Sequence, residues 1–432
     1  MPSSVLGVVV VVGFLFLHSE SRSSSPYKAP AGLPVVLIPG DGGSQLEANL
    51  TGKPTTVHYV CSKQTPDFFD LWLNLELFTP LVIDCWVDNM QFVFFCLMNL
   101  EIMFVFRMMF NMTTGESTNM PGVDIRVTGF GDTPEIEWLD PSKASSGRYF
   151  FDLVDMMSSW GYTRGKNVVG APYDWRKSPN ELSDYFVTLK KLIEDTYRYN
   201  DNQKVVLVAH SMGNPVTLYF MRNFVDQPWK DKFIASLVSL APPWGGSMQI
   251  VKLFASGYNM NYYRVILPPS HLRAMQRSFT SSAFLFPSSH VWGADEVFAT
   301  TETTNYTVSN VEQFFTDLDY KLGWEQYKRA ANLNGDLSAP GVPVHCIYGT
   351  GVDTPEKLTW PKGYFPDYQP IQINGDGDGT VNKRSAAVCA RWKNANAGHR
   401  VTVHEVFKAE HMAIMRDPTA LELVRKAIYQ QL

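Results

Sequence analysis

The feature that most constrains this chain is the stretch KVVLVAHSMGN at residues 204–214, where a run of strand-forming residues stops abruptly at a serine. Its apolar part is typical of a strand that is buried on both faces of a parallel sheet. Ala209, Ser211 and Gly213 then follow at alternate positions. Only Ala209 differs from the G-x-S-x-G elbow, a sharp turn from strand to helix that forces a serine hydroxyl outward. The alternative is a strand that ends in a serine by chance, because short motifs recur.

Four other apolar runs predict strands beside this one, and three amphipathic segments predict helices. The strands are predicted within 33–43, 233–246, 342–351 and 400–407, and the helices within 181–200, 214–227 and 417–432. Strands that alternate with helices predict an α/β fold with a mostly parallel sheet covered on both faces. Residues 55–130 and 247–340 interrupt this alternation.

The first residues predict export from the cytosol. An apolar run from Val5 to Leu17 is followed by small polar residues, which is typical of a secretory signal peptide, here residues 1–24. An uncleaved anchor is the alternative. Three N-x-S/T sequons, at Asn49, Asn111 and Asn305, predict glycosylation in that compartment.

The chain has five cysteines, so an even subset would pair in an oxidising compartment and one would be left over. Proximity along the chain favours Cys61–Cys85 and Cys346–Cys389, which leaves Cys96. No cysteine or histidine cluster has the spacing of a metal site, so we expect no metal and no cofactor. The net charge of −5 gives no reason to expect nucleic-acid binding.

A serine nucleophile needs a histidine base and a carboxylate that orients it, in the chain order Ser, Asp, His for this kind of elbow. His411 is the preferred base, because it lies between a predicted strand and the last predicted helix. His404 falls inside a strand pattern and His399 in a turn. The loop QINGDGDGTVN offers Asp376 and Asp378, and spacing alone does not choose between them. Backbone N–H groups would stabilise the oxyanion.

For those N–H groups the sequence offers Met212, directly after the serine, and Asp41, in the glycine-rich turn PGDGG after the first strand. Glycines beside Asp41 allow the close approach of backbone that an oxyanion hole requires.

An aromatic segment, PDFFDLWLNLELF at residues 66–78, lies inside the interval between Cys61 and Cys85. It has two interpretations that the sequence does not separate: a buried helix, or a loop that presents apolar side chains to lipid. The side chains concerned in the second interpretation are Phe68, Phe69, Leu71, Trp72 and Leu73.

Many ordered blocks resemble the lecithin:cholesterol acyltransferase family. They include PVVLIPGDGGSQLEA, FFDLWLNLELF, GYTRGKNVVGAPYDWR, VVLVAHSMGN, PWGG, GDGDGTVN and EHM, and they span nearly the whole mature chain. The resemblance implies an α/β-hydrolase fold with catalytic Ser211, Asp378 and His411, and oxyanion donors at Asp41 and Met212. It implies the two disulfides favoured above.

The same resemblance implies the organisation of the chain. The hydrolase core would comprise 25–54, 131–246 and 341–432. Residues 55–130 would form a membrane-binding insertion, with 66–78 in contact with lipid, and 247–340 a cap.

Asp41 and Asn214 stand where the sterol-esterifying branch of the family carries cysteines, and the chain lacks a proline-rich tail, so it is more similar to the phospholipase branch. The expected function is a calcium-independent, lysosomal and secreted phospholipase A and transacylase. Its partners would be phospholipid membranes or lipoprotein surfaces, with ceramide or another lipid alcohol as acyl acceptor. A secreted phosphatidylcholine-sterol acyltransferase and an inactive lipid-binding protein are the alternatives.

One segment departs from the family, the apolar stretch FVFFCLMNLEIMFVFRMMF at residues 92–110. As a transmembrane helix it would carry Glu101 and Arg107 in mid-span, each at a cost of about 2.5–3.5 kcal/mol. The favoured hypothesis is a translated intron or a wrongly joined exon, and a genuine membrane-contact element is the second.

Overall fold

The computed structural model describes residues 31–93, 116–143, 147–259 and 268–432. The predicted signal peptide, the sequon at Asn111, Cys96 and residues 94–110 of the predicted insert lie outside these ranges. The strands within them are β1 Val35–Ile38, β2 Leu46–Leu50, β3 Phe69–Trp72, β4 Phe92–Val93, β5 Thr118–Asn119, β6 Val123–Val127, β7 Val168–Gly170, β8 Val205–His210, β9 Ile234–Leu240, β10 Ala299–Thr300, β11 Asn305–Tyr306, β12 Val344–Thr350, β13 Val352–Thr359, β14 Ile371–Gly377 and β15 Val401–Phe407.

The centre of the fold is a six-stranded parallel sheet in the order β15-β12-β9-β8-β1-β7. Every residue of β1, β7 and β8 is buried, as expected for strands covered on both faces. Five of the six strands match the predicted runs. The sequence analysis missed β7, because its three residues are too few to make a pattern.

Helices cover the sheet, and the three predicted helices are present. The α-helices of the described residues are α1 Val82–Met90, α2 Pro134–Glu137, α3 Phe151–Ser159, α4 Ser183–Tyr199, α5 Gly213–Asn223, α6 Gln227–Phe233, α7 Met248–Ser256, α8 Pro269–Ser278, α9 Thr280–Phe284, α10 Val311–Asp317, α11 Lys321–Ala330, α12 Lys383–Ala386 and α13 Pro418–Ile428. The predicted mixed α/β fold with a mostly parallel sheet is confirmed.

The local sequence explains how these helices start and which face they bury. In α4, Phe186, Leu189 and Ile193 recur at helical spacing and are fully buried, so they hold the helix against the sheet. The last helix, α13, begins where the Asp417 side chain accepts hydrogen bonds from the backbone N–H groups of Thr419 and Ala420.

Smaller sheets lie outside the central one, in the orders β3-β2-β6 and β11-β10-β13-β14. Strand β2, in the predicted core piece 25–54, therefore pairs with two strands of the predicted insertion 55–130. Strands β13 and β14, in the predicted core piece 341–432, share a sheet with β10 from the region 247–340. The domain boundaries stay a prediction, and sheet pairing crosses them.

Two short antiparallel strands, β4 and β5, pair at the start of the predicted insert. Phe92 pairs with Asn119 and Val93 with Thr118. Phe92 is 1% exposed, and the guanidinium carbon of Arg176 lies 4.3 Å from the centre of its ring. The first two residues of the predicted insert are thus paired within the fold, and the bounds of the insert stay a prediction.

The predicted disulfides, Cys61–Cys85 and Cys346–Cys389, are both present. The first closes the part of the insertion that contains β3, and the second joins β12 to the segment after α12. Of the helices in the described ranges, none combines the length and apolar character needed to cross a bilayer.

Candidate active site

Ser211 stands at the turn between β8 and α5, as the elbow pattern predicts. Its φ angle is +51°, in the left-handed region that side chains seldom adopt. Gly213 begins α5 so close to β1 that a Cβ atom there would lie 2.6 Å from the carbonyl oxygen of Ile38. Only glycine fits at this position, and the tight contact sets the sharp turn that exposes the serine hydroxyl.

Ser211, His411 and Asp378 form a continuous hydrogen-bonded chain. The His411 Nε2 atom lies 2.9 Å from the Ser211 Oγ atom, and His411 Nδ1 lies 2.8 Å from Asp378 Oδ2. His411 is 8% exposed and Asp378 2% exposed, so water competes little for these bonds. This is the geometry in which a histidine takes a serine proton while a carboxylate fixes the ring.

The loop that carries Asp378 also fixes the direction of its carboxylate. The other oxygen, Oδ1, accepts hydrogen bonds from the backbone N–H groups of Thr380 at 3.0 Å and Val381 at 2.7 Å. The backbone N–H of His411 donates to the carbonyl oxygen of Asp378 at 2.9 Å. Acid and base are therefore joined through both backbone and side chain.

The other aspartate of this segment, Asp376, lies in β14 and points elsewhere. Its Oδ1 atom accepts a hydrogen bond from the backbone N–H of Gly351 at 2.6 Å, and its Oδ2 atom lies 3.6 Å from Lys383 Nζ. The geometry therefore chooses Asp378 for the position beside the base. The other late histidines are also placed elsewhere, with His404 inside β15 and His399 against Gln227.

The serine opens into a cavity of about 470 Å³. Its walls come largely from elements outside the central sheet: β3 and α1 on one side, and α7 and α8 on another. The apolar lining includes Trp72, Trp86, Trp175, Leu253, Leu272 and Phe279. A cavity of this size and character suits an apolar chain attached to a reactive ester.

Sequence comparison decides which family this arrangement represents. The family model "Lecithin:cholesterol acyltransferase" matches residues 68–418. The chain belongs to the lecithin:cholesterol acyltransferase family. Its members are lipid acyltransferases, and the relatives below support an acyl hydrolase or acyltransferase activity.

The similar curated proteins include lysosomal phospholipases and sterol acyltransferases. The human "Lysosomal phospholipase A and acyltransferase" is 43% identical over 418 residues, covering 96% of each chain. The bovine protein of that name is 44% identical over 416 residues, again covering 96% of each chain. The chicken "Phosphatidylcholine-sterol acyltransferase" is 40% identical over 391 residues, covering 90% of this chain and 89% of the relative.

The solved structures that resemble this chain include one distant match over nearly its whole length. "The crystal structure of Tle4-Tli4 complex" has a TM-score of 0.48 and 16% identity, and the match covers 93% of this chain and 99% of that one. These values are too low to support an inference about function.

The expected oxyanion donors are Met212, which directly follows the serine in the chain, and Asp41, which lines the same cavity. Met212 is fully buried at the start of α5, and Asp41 lines the cavity. Asp41 keeps access to solvent through the cavity that it lines. Partial desolvation by the surrounding protein atoms raises the pKa of its carboxyl group to about 7, although the backbone N–H of Gly42 and the nearby His411 act in the opposite direction.

The expectation that 66–78 presents five apolar side chains to lipid is wrong for three of them. Leu71 is fully buried, Leu73 is 3% exposed and Trp72 is 9% exposed. The Trp72 indole N–H donates to the carbonyl oxygen of Gly42 at 2.7 Å, beside Asp41. Trp72 lines the cavity, and Leu71 and Leu73 pack in the core, because the segment runs as strand β3 against β2.

Phe68 and Phe69 of the same segment are half-buried. The guanidinium carbon of Arg126 lies 3.9 Å from the centre of the Phe68 ring.

The sequence analysis missed exposed apolar side chains on both sides of this segment. Tyr59 is 88% exposed, and Val57, Val60 and Leu81 are 36–43% exposed. They lie next to Cys61 and Cys85 in sequence. A scatter of single apolar residues among polar neighbours carries no periodic signal, so only the folded chain distinguishes them from core residues.

The two described sequons differ in accessibility. Asn305 is exposed on β11. Asn49 is half-buried in β2, and its side-chain oxygen accepts a hydrogen bond from Thr65 at 3.0 Å. Glycosylation at both stays a prediction, with Asn305 the more accessible amide.

Proposed function

We propose that this chain is a phospholipase A and transacylase that cleaves glycerophospholipid acyl esters through an acyl-serine. The observation that carries the proposal is the hydrogen-bonded Ser211–His411–Asp378 chain at the base of an apolar cavity. The names of the lysosomal relatives, at 43–44% identity over nearly the whole chain, support this substrate class.

In the first half of the reaction, Ser211 Oγ attacks the ester carbonyl carbon while His411 Nε2 takes the hydroxyl proton. Asp378 accepts the hydrogen bond from Nδ1–H and stabilises the imidazolium. The N–H groups of Asp41 and Met212 stabilise the negative charge on the carbonyl oxygen. The C–O bond then breaks, and His411 returns the proton to the leaving lysophospholipid alcohol.

In the second half, an acceptor hydroxyl attacks the acyl-serine while His411 takes its proton. The bond between Ser211 Oγ and the acyl carbon then breaks, and His411 returns the proton to Ser211 Oγ. Water gives a free fatty acid, and a lipid alcohol such as ceramide gives an acylated alcohol. Because the acyl-serine and the histidine base supply both the intermediate and the proton transfer, these steps need no calcium ion.

We place the enzyme in the lysosome and in the secretory pathway. The predicted signal peptide, the two disulfides and the lysosomal names of the relatives support this location. The raised pKa of Asp41 supports acidic operation, because a neutral carboxyl group beside the oxyanion does not oppose the charge that forms there.

The test of the main proposal uses the secreted protein and its Ser211→Ala variant on phosphatidylcholine vesicles without calcium. Parallel vesicles contain ceramide or cholesterol as the acceptor. We expect only the wild type to release fatty acid and to acylate ceramide, and to do so better at about pH 5 than at about pH 8, on either side of the pKa of about 7 for Asp41. Preferential acylation of cholesterol would favour the sterol acyltransferase instead, and equal activity of Ser211→Ala would contradict the role of the serine.

We further propose that Tyr59, Val60 and Leu81, together with the half-buried Phe68 and Phe69, contact the lipid surface. All five lie in the predicted insertion 55–130. Trp72, Phe78 and Trp86 of the same insertion line the cavity, so lipid bound to the insertion would lie near the reactive serine.

Replacing Tyr59 tests this contact. Tyr59→Ser should weaken vesicle binding about tenfold, the size of effect expected when one large apolar side chain no longer leaves water. Tyr199→Ser is the matched control, because Tyr199 is 78% exposed at the end of α4. That end of α4 leads into the start of β8, whereas Ser211 follows the end of β8. Equal vesicle binding by the two variants would contradict the contact. Hydrolysis of a short soluble ester should be unchanged in both.

A further inference from the structure

Behind Ser211, two buried side chains that the proposed reaction does not use link the separate parts of the site. The backbone N–H of Gly40 donates to the Tyr149 hydroxyl at 2.8 Å, and that hydroxyl lies 2.6 Å from His210 Nδ1. His210 Nε2 lies 3.0 Å from the carbonyl oxygen of His411. Tyr149 is 4% exposed and His210 is fully buried.

The partners fix the direction of every hydrogen bond in this chain. A carbonyl oxygen only accepts, so His210 Nε2 carries the hydrogen and donates to His411. In a neutral imidazole the other nitrogen is then an acceptor. Burial, together with the charge of His411, lowers the pKa of His210 to about 3, so the ring is neutral under mildly acidic conditions. The Tyr149 O–H must therefore donate to Nδ1, which leaves its oxygen to accept from Gly40.

The loop that carries Asp41 is packed against the same tyrosine. A Cβ atom on Gly40 would lie 2.6 Å from the Ser211 Cβ atom and 3.1 Å from the Tyr149 hydroxyl. A Cβ atom on Gly43 would lie 2.7 Å from the ring carbon that bears that hydroxyl. The loop thus has little freedom to move while Tyr149 stays in place.

His210 connects this packing to the base. Its ring centre lies 5.0 Å from that of His411, and it directly precedes Ser211 in the chain. A displacement of Tyr149 would therefore act at the Asp41 loop, at the serine and at the histidine backbone together.

We propose that Tyr149 and His210 are positioning residues, which hold the Gly40–Asp41 loop and the backbone of His411 in the geometry that acylation of Ser211 requires. The proposal rests on the proposed function only in needing Ser211 as the nucleophile. It concerns how fast the serine reacts, and not which lipid it reacts with.

The test measures the rate at which a fluorophosphonate labels Ser211. In this reaction the serine oxygen forms a bond to phosphorus, the P–F bond breaks, and the hydroxyl proton leaves with fluoride through His411. The rate reports the nucleophile, the base and the oxyanion donors without a lipid substrate. The proteins compared are the wild type, Tyr149→Phe, Tyr162→Phe and Ser211→Ala.

Tyr162→Phe is a matched control. Tyr162 is 2% exposed, and its hydroxyl donates to the carbonyl oxygen of Leu33 at 2.6 Å. Leu33 precedes the start of β1, whereas Ser211 follows the end of the parallel strand β8, so the two lie at opposite ends of the strands. Both variants remove one buried hydroxyl, so their melting temperatures should fall by similar amounts.

We expect Tyr149→Phe to label about 10- to 100-fold more slowly than the wild type, the range that misplacement of reacting groups produces. Tyr162→Phe should label within about twofold of the wild type. On phospholipid, the Tyr149 effect should fall on kcat and leave KM nearly unchanged. Wild-type labelling by Tyr149→Phe, or equal slowing in both variants, would overturn the proposal.

A second pair of variants decides the matter if Tyr149→Phe does not fold. His210→Gln keeps an N–H that reaches the carbonyl oxygen of His411, whereas His210→Leu does not. We expect the glutamine variant to label several-fold faster than the leucine variant, and equal rates would overturn the proposal. A wild type that labels at Ser211 but releases no fatty acid contradicts the proposed lipid substrate alone, and one that does not label contradicts both proposals.

Discussion

Two loops bring an aspartate to the same cavity, and they surround its carboxyl group differently. The Asp378 loop gives its side chain two backbone N–H donors and the imidazole of His411. The Asp41 loop supplies only the Gly42 N–H among the groups that lower its pKa by hydrogen bonding, and the pKa rises to about 7. Desolvation is the largest cause of that rise, and the Gly42 N–H offsets only part of it, so two aspartates at one cavity face different electrostatic environments.

The largest effect should come from removing the acid that orients the base. Asp378→Asn keeps the size of the side chain but presents an amide to His411, which favours the wrong tautomer. Activity should fall about 10⁴-fold, as in other triads. The measurement is kcat on phospholipid vesicles, with circular dichroism to show that the fold is intact. Activity within tenfold of the wild type would mean that another carboxylate supports His411.

A smaller and pH-dependent effect is expected at the other loop. The raised pKa means that Asp41 is neutral in acid and becomes an anion as the pH rises through about 7. That anion would oppose the developing oxyanion, so wild-type activity should fall above this pH, by roughly tenfold one unit above the pKa.

Asp41→Asn cannot ionise and should keep its activity across the same range. The measurement is kcat/KM against pH for both proteins. Parallel profiles would show that another group sets the alkaline limit, and that the two loops differ less than we infer.

The smallest effect is expected at Asp376, two residues before the triad acid. Asp376→Asn removes a half-exposed ion pair with Lys383 but keeps an oxygen for the Gly351 N–H. Exposed pairs contribute about 0–1 kcal/mol, so activity should stay within about twofold of the wild type. A loss approaching that of Asp378→Asn would indicate that the register of β13 and β14 differs from the one described.

This contrast between neighbouring aspartates also marks the limit of prediction from sequence. The elbow at Ser211 could be predicted because a buried strand, small residues and a following helix all show in the local pattern. Asp376 and Asp378 are two residues apart in one short segment and are of the same residue type. Their roles depend on the pairing of β13 with β14, in which Asp376 lies opposite Asp353, and on the two N–H groups that face Asp378.

The prediction that Leu71, Trp72 and Leu73 of the aromatic segment contact lipid was wrong for a similar reason. Leu71 and Trp72 would have the same apolar appearance on a membrane surface or in a cavity wall. Only the pairing of β3 with β2 and the hydrogen bond from Trp72 to Gly42 decide between the two. The raised pKa of Asp41 was also beyond sequence reasoning, because desolvation comes from residues distant in the chain.

The pairing of β4 with β5 has a consequence for how this gene can change. Because Val93 and Thr118 are paired, the two ends of the intervening segment lie side by side, whatever the length of that segment. The entropic cost of bringing two chain ends together depends on the logarithm of the number of residues between them, about 0.6 kcal/mol for each doubling. A shifted splice junction here can therefore add or remove many residues without moving the sheet that holds Ser211. The same position is a natural point at which to graft a reporter or an affinity tag.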